Sequence, residues 1–219
     1  MRSRRGIFTL ATLTALLTAG PAGAQTYVVQ PTTATIEEDW KIVVAHGDAA
    51  KDGPQMMTYM SPVGDSSSPY AWFMLNVRDN PNPYTPGGLM IQVWDYADTL
   101  ITSNTSGLDT AKLNAANETI TWTQELAWAS PNSFGYQIFN GSSTTWGTFG
   151  SLQGMSAVNF TGPGSLNGYS PYVSVKNSRV GWMASNVTSM TLLTVRQIDK
   201  QGKVLQADTL NLAVNLAPQ

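Results

Sequence analysis

The stretch TITWTQEL, at Thr119–Leu126, has the alternation that decides the fold. Its apolar side chains fall at Ile120, Trp122 and Leu126, and polar residues fill the positions between them. Successive side chains of a β-strand point to opposite faces, so this spacing gives the segment one apolar and one polar face. Such one-sided polarity is typical of an antiparallel sheet that packs on one face and contacts water on the other.

The same period recurs in LMIQVWDY, at Leu89–Tyr96. One face is apolar and carries Leu89, Ile91 and Val93. The other face is mixed and carries Met90, Gln92 and Trp94. By contrast, Tyr70–Val77 is apolar on both faces, which predicts a central, covered strand. We therefore predict an all-β protein, a single-domain antiparallel β-sandwich of jelly-roll or concanavalin-like kind.

Turn-forming Gly, Pro, Asn and Ser residues separate short apolar runs throughout the chain, as expected for a sandwich. The predicted strands lie near Trp40–Ala45, Met56–Ser61, Tyr70–Val77, Leu89–Tyr96, Glu118–Ala129, Phe134–Asn140, Thr144–Phe149, Gly154–Phe160, Tyr172–Val175, Arg179–Ala184, Met190–Ile198 and Val204–Val214. Leu108–Asn117 is the one stretch that predicts a helix.

The N-terminus has the pattern of an export signal. Arg2, Arg4 and Arg5 precede a short apolar run, and Ala22-Gly23-Ala24 offers a cleavage site. We expect a signal peptide at 1–24, an extended leader at 25–34 and the sandwich domain at 35–219. The paired arginines suit the twin-arginine route or an ordinary secretory route, and both imply export to the periplasm or the outside of the cell.

Composition excludes several function classes. The chain has no cysteine, which excludes thiol catalysis and thiolate metal sites. Its net charge is −2 and its lysines and arginines are scattered, so a nucleic-acid partner is not expected. His46 is the one histidine, and nothing around it resembles a catalytic triad.

Acidic residues leave two other kinds of chemistry open. Paired carboxylates can hydrolyse glycosidic bonds. The consecutive acids Glu37-Glu38-Asp39 are expected to splay to both faces of a strand and to cap its entry. Calcium is a second possibility at Asp79–Asn82 or at Asp95 with Asp98, although such loops also arise as plain turns. No cofactor is expected otherwise.

Seven tryptophans are many for this length, and flat aromatic rings can stack on sugars. Trp122 is expected in the core, whereas Trp94 and Trp146 are expected to be accessible. The predicted ligand-binding set combines these two rings with hydrogen-bonding groups on the water-facing sides of the strands. Its members are Trp94, Trp146, Gln92, Thr121, Thr123 and Glu125.

Four stretches carry a resemblance that covers most of the chain after the leader. They are IEEDWKIVV (Ile36–Val44), PGGLMIQVWD (Pro86–Asp95), FNGSSTTWGTFG (Phe139–Gly150) and SVKNSRVGWMASNVTSMTLLTVR (Ser174–Arg196). Here the chain resembles uncharacterised exported proteins of planctomycete-type bacteria. The resemblance implies a secreted β-sandwich with no assigned function, and it transfers no active-site residue. The strand pattern is also similar to concanavalin-like sandwiches, but a fold does not fix an activity.

The sequence favours a secreted, non-catalytic binding module whose ligand is a carbohydrate, either a polysaccharide or a cell-surface glycan. Two alternatives stay open: a structural or assembly component of the bacterial cell surface, and a glycan hydrolase or lyase that uses paired carboxylates. No transmembrane anchor is expected after processing, because the apolar run is too short to span a bilayer.

Overall fold

The computed structural model describes residues 26–45, 54–64, 68–76, 88–105, 117–144, 147–150 and 158–217. These residues form one helix, α1 (Pro171–Asn177), a 3-10 turn at Ala184–Asn186, and twelve strands. The strands are β1 (Thr33–Val44), β2 (Gln55–Met60), β3 (Tyr70–Asn76), β4 (Gly88–Trp94), β5 (Leu100–Thr105), β6 (Glu118–Ser130), β7 (Ser133–Ser143), β8 (Gly147–Phe149), β9 (Val158–Thr161), β10 (Arg179–Trp182), β11 (Val187–Asp199) and β12 (Val204–Ala213).

Two antiparallel sheets confirm the predicted all-β sandwich. The larger sheet has the order β12-β11-β1-β6-β7-β8, and β9 also pairs with β7. The smaller sheet has the order β10-β2-β3-β4-β5, so β3 is the central strand that its two apolar faces predict. None of the described residues belongs to a helix long and apolar enough to cross a bilayer.

The inner faces carry the apolar residues that the alternation predicts. The core includes Ile120, Trp122 and Leu126 of β6, and Leu89, Ile91 and Val93 of β4. Trp122 stacks on Trp40 of β1 with ring centroids 6.4 Å apart, and Phe73 of β3 meets Trp122 edge-on at 5.4 Å. The last contact joins the two sheets. Truncating such a buried ring to alanine typically costs about 3–5 kcal/mol of stability.

Residues 26–30, within the predicted leader, pack against the larger sheet. The side chain of Gln197 on β11 holds them in place. The Oε1 of Gln197 accepts from the backbone amide of Gln30 at 2.7 Å, and its Nε2 donates to the backbone carbonyl of Val28 at 2.9 Å. Tyr27 meets Tyr169 edge-on with ring centroids 5.7 Å apart. This part of the leader is therefore structurally continuous with the domain.

The segment Tyr172–Val175, predicted as a strand, belongs instead to α1. Its alternation suits a strand, but Pro171 opens the helix, where its fixed φ is favourable and its missing N–H is not needed. The Ser178 amide and hydroxyl both donate to the Ser174 carbonyl, at 3.0 and 2.7 Å, and end the helix. The Ser178 hydroxyl also accepts from the Tyr59 amide at 2.9 Å, which ties α1 to β2.

One strand is absent from the sequence prediction, and the predicted helix cannot be compared with the structure. β5 is not predicted, because its exposed, polar sequence lacks apolar alternation. The predicted helix Leu108–Asn117 lies almost entirely outside the described residues.

The expectation that Glu37-Glu38-Asp39 caps the entry to the first strand is wrong. β1 begins at Thr33, so the three acids lie in the middle of the strand. They do alternate: Glu37 and Asp39 point outward, and Glu38 points inward and is completely buried.

Glu38 is held by neutral donors. Its Oε2 accepts from the Trp40 indole at 2.8 Å and from the Gln124 amide at 2.5 Å. Its Oε1 accepts from the Tyr169 hydroxyl at 2.5 Å, and the Ser174 hydroxyl is a further donor. Burial raises the pKa of Glu38, because the charged form loses its hydration, and the four hydrogen bonds offset only part of that effect.

Gln124 extends this network to the other sheet. Its Oε1 accepts from the Thr58 hydroxyl at 2.8 Å and from the Tyr136 hydroxyl at 2.9 Å. Thr58 belongs to β2 in the smaller sheet, and Gln124 belongs to β6 in the larger one. The polar network around Glu38 therefore crosses the sandwich and joins both layers.

We predict that Glu38 makes the protein more stable at acidic pH. A native pKa above the unfolded value of 4.5 means that the native state holds the proton more tightly. This stabilisation is complete below pH 4.5 and is lost as pH rises through the native pKa, at about 1.4 kcal/mol per pH unit in between. Glu38→Gln should fold and should lack this dependence, because its amide can donate to the two hydroxyls while its carbonyl accepts from Trp40 and Gln124.

Urea denaturation of wild type and Glu38→Gln from pH 4 to pH 8 measures the difference. The control is Glu37→Gln, which removes a carboxyl from the opposite side of the same strand. A constant difference between wild type and Glu38→Gln across this range would contradict the prediction.

Candidate functional site

The six predicted ligand-binding residues do not form one surface. Gln92 and Trp94 lie on the outer face of the smaller sheet, whereas Thr121, Thr123 and Glu125 lie on the outer face of the larger sheet. The core separates the two groups, because each group lies on the side of its sheet that faces away from the other sheet. Trp146 lies outside the described residues. The molecule thus has two candidate surfaces, one on each sheet.

The first surface, which we call the aromatic face, consists of Tyr59, Tyr70, Trp72, Gln92 and Trp94. Strand register brings these residues together. In the β3–β4 pairing, Tyr70 lies opposite Trp94 and Trp72 lies opposite Gln92, and in the β2–β3 pairing Tyr59 lies opposite Trp72. Cross-strand neighbours on one face are close enough for their side chains to touch.

The rings of the aromatic face pack in a fixed arrangement. Tyr59 is buried, and its ring lies nearly parallel to that of Tyr70, with centroids 5.2 Å apart. The Trp72 ring is almost perpendicular to both, at 5.4 Å from Tyr59 and 6.1 Å from Tyr70. Tyr70, Trp72 and Trp94 are only half-buried. The face therefore presents ordered rings that keep some contact with solvent.

Polar contacts fix the rim of the aromatic face. The Trp94 indole donates to Oε1 of Gln92 at 3.2 Å. Gln92 was expected to face water, but it is 7% exposed, so its role is to orient the Trp94 ring rather than to meet a ligand freely. Beside Trp94, the Tyr70 hydroxyl donates to Asp98 at 2.6 Å. Burial and then Asp98 raise the pKa of Tyr70.

The second surface, which we call the acidic face, consists of Glu37, Asp39, Thr123, Glu125 and Arg196 on the larger sheet. In the β1–β6 pairing, Glu37 lies opposite Glu125 and Asp39 lies opposite Thr123. Arg196 lies opposite Glu37 on the other side of β1. This arrangement is not predicted from the sequence. Its one local sign is that Glu37 and Asp39 occupy alternate positions of a single strand.

Arg196 neutralises much of the acidic face. Its Nε donates to Glu37 at 2.6 Å, and its two terminal nitrogens donate to Asp39, one of them at 2.8 Å. Thr123 donates to Asp39 at 2.8 Å. These bonds explain why Thr123, although on an outer face, is 3% exposed.

Glu125 differs from the other acids of this face. Its Oε1 accepts from the Gln137 amide at 2.6 Å. Burial raises the pKa of Glu125, the Gln137 bond lowers it, and the charge of Glu37 raises it further. A carboxyl with a raised pKa beside a second carboxyl is an arrangement that acid–base chemistry uses.

Two shallow depressions, of about 580 and 650 Å³, adjoin on the acidic face, and Glu37 lines both. The first also contacts Glu125, and the second contacts Asp39 and Arg196. Within the described ranges, no group of three or more His, Cys, Asp and Glu side chains is arranged to hold a metal ion.

Of the two loops predicted as possible calcium sites, the one with Asp95 and Asp98 lies among the described residues. The Asp95 carboxylate accepts from the amides of Ala97 and Thr99, each at 2.8 Å, as in an ordinary turn. Asp79–Asn82 and His46 lie outside the described residues.

Searches of protein families and of curated proteins find no match to this chain. Among solved structures, the chain is similar to Scytalido-glutamic peptidase bound to a peptide-based transition state analog. The TM-score is 0.33, the sequence identity is 9%, and the match covers 84% of this chain and 83% of that one. This similarity carries no information about either candidate surface.

We predict that Arg196→Gln destabilises the protein more at pH 7 than at pH 4. Without the guanidinium, Glu37 and Asp39 lose the cation that bonds both of them, and the negative charges on this face repel one another. The loss should be about 1 kcal/mol at pH 7, since the pair is partly exposed, and should shrink as the carboxyls are protonated. Urea denaturation at both pH values measures it, with the exposed Arg179→Gln as control. An equal loss at both would contradict the prediction.

Proposed function

We propose that the chain is an exported, non-catalytic carbohydrate-binding module and that the aromatic face is its docking surface. The observation that carries the proposal is the cross-strand placement of three half-buried rings, Tyr70, Trp72 and Trp94, on one outer face. Apolar and aromatic linings with a few placed polar groups are typical of ligand sites.

The chemistry of sugars suits such a face. One side of a pyranose ring carries mainly C–H bonds, which pack against an aromatic ring, and the hydroxyls around its edge need hydrogen-bonding partners. Trp94 is held by Gln92, so its ring loses little conformational freedom on binding. Tyr and Trp also supply large contact areas at low entropic cost.

Hydrogen-bonding groups border the rings. Ser103 and Thr105 of β5 are exposed, and Ser103 lies directly opposite Gln92 in the β4–β5 pairing. Their hydroxyls can donate to and accept from sugar hydroxyls. The aromatic face thus offers a stacking surface beside the neutral polar edge that β5 forms.

Trp94→Ala should weaken glycan binding about 30-fold, the effect of removing about 2 kcal/mol at a central aromatic contact. A glycan array identifies the ligand, and isothermal titration calorimetry gives the affinity of each variant. Trp128→Ala is the matched control, because Trp128 is another half-buried tryptophan, on the larger sheet. Absence of glycan binding by wild type, or equal weakening by both variants, would refute the proposal.

A glycan hydrolase acting on the acidic face is the second candidate. The observation that favours it is the direct pairing of Glu37 with Glu125. Paired residues on one face have Cβ atoms about 4.5–5.5 Å apart, so both side chains project from the same side of the sheet as neighbours, and glycoside hydrolysis uses two carboxyls that face one substrate. Glu125, with its raised pKa, would be the general acid, and Glu37 would be the base or nucleophile.

Release of reducing ends from polysaccharides separates the two candidates. A hydrolase requires release by wild type and a loss of at least about 100-fold in Glu125→Gln, which cannot supply a proton. Trp94→Ala is the control, since it leaves the acidic face intact. A binding module predicts no release by wild type, and sustained release that Glu125→Gln leaves unchanged would contradict both candidates.

A further inference from the structure

We infer that the carbohydrate bound by the aromatic face is anionic and that Arg179 binds its carboxylate or sulfate group. This inference rests on the proposed function and adds to it the chemical class of the ligand. Arg179 is the first residue of β10, at the edge of the smaller sheet, and its side chain is exposed.

Arg179 belongs to the aromatic face by contact. Its guanidinium carbon lies 5.2 Å from the centroid of the Trp72 ring. In the β10–β2 pairing it lies opposite Met57, whose side chain packs with Trp72. The cation–π contact holds the guanidinium beside the rings instead of leaving it free in solvent.

The hydrogen-bonding capacity of Arg179 is unused within the described part of the chain. There it makes the cation–π contact but no ion pair, whereas the guanidinium of Arg196 is bonded to both Glu37 and Asp39. An arginine stacked on a ring keeps the N–H groups at its edge available. Those groups bond carboxylate and sulfate through two parallel hydrogen bonds.

The position of Arg179 fits a sugar on the neighbouring rings. Along β3, Trp72 is two residues from Tyr70, a separation of about 7 Å, and Tyr70 lies opposite Trp94. A sugar ring stacked on Tyr70 and Trp94 would therefore place an acidic substituent, of its own or of the next unit, within reach of Arg179.

Charge distribution orients the ligand. At the far end of the aromatic face, Asp98 accepts from the Tyr70 hydroxyl and presents negative charge. An anionic group is therefore disfavoured at that end and favoured beside Arg179. The face distinguishes the two ends of an acidic oligosaccharide, whereas a neutral one gains nothing from this asymmetry.

Calorimetry with matched ligands tests the inference. The probes are oligogalacturonides, the same oligomers after reduction of their carboxyls, and sulfated galactan oligomers. We expect wild type to bind at least one charged series about 10-fold or more tightly than the reduced oligomers. Arg179→Gln should remove that preference, so that charged and reduced oligomers bind with equal affinity. Arg179→Lys should keep only part of it, because an ammonium lacks the planar pair of donors.

Lys176→Gln is the matched control, because it removes one exposed positive charge from α1, outside the aromatic face. Preference for the carboxylate series alone or the sulfate series alone identifies the anion, and either supports the inference. Equal binding of charged and reduced oligomers, still weakened by Trp94→Ala, would overturn this inference and leave the proposed function standing. Binding of none of the probes or other glycans would overturn both.

Discussion

The carboxyl group of Glu38 lies between the two sheets, and its burial obliges four separate segments of the chain to converge. Trp40 comes from the same strand, Gln124 from β6, Tyr169 from the segment before α1, and Ser174 from α1 itself. A buried carboxyl without donors would cost several kcal/mol, so the donors must arrive together as the protein folds. The position of α1 follows from this demand.

The polar network around Glu38 lies inside the sandwich, and the outer faces of the two sheets carry different residues. β1 and β6 present Glu37, Asp39 and Glu125 outward while their other sides carry the core. β3 and β4 present Trp72 and Trp94 outward in the same way. The cluster of acids and the aromatic surface thus lie on different sheets, so a ligand that contacts one surface does not meet the other.

The alternation of Thr119–Leu126 is enough to predict the fold class and the inward faces, because facing depends on one strand alone. The register between two strands depends on both of them and does not follow from the alternation within either. Glu37 and Glu125 come from strands far apart in sequence, and only the pairing of those strands sets them opposite each other. Glu38 escapes prediction because ionisable side chains seldom enter cores. At α1, Pro171 and the contact of Ser174 with Glu38 favour a helix over the strand that the valines suggest.

The place of β1 between β6 and β11 has a consequence for how the polypeptide reaches its native state. β1 gains its second neighbour only after β11 has been synthesised, so the closure entropy of a very long loop precedes the contacts that compensate it. Folding dominated by such distant pairings is slow. Until β11 arrives, one hydrogen-bonding edge of β1 stays open to other chains, which makes this interval the one in which aggregation competes with folding.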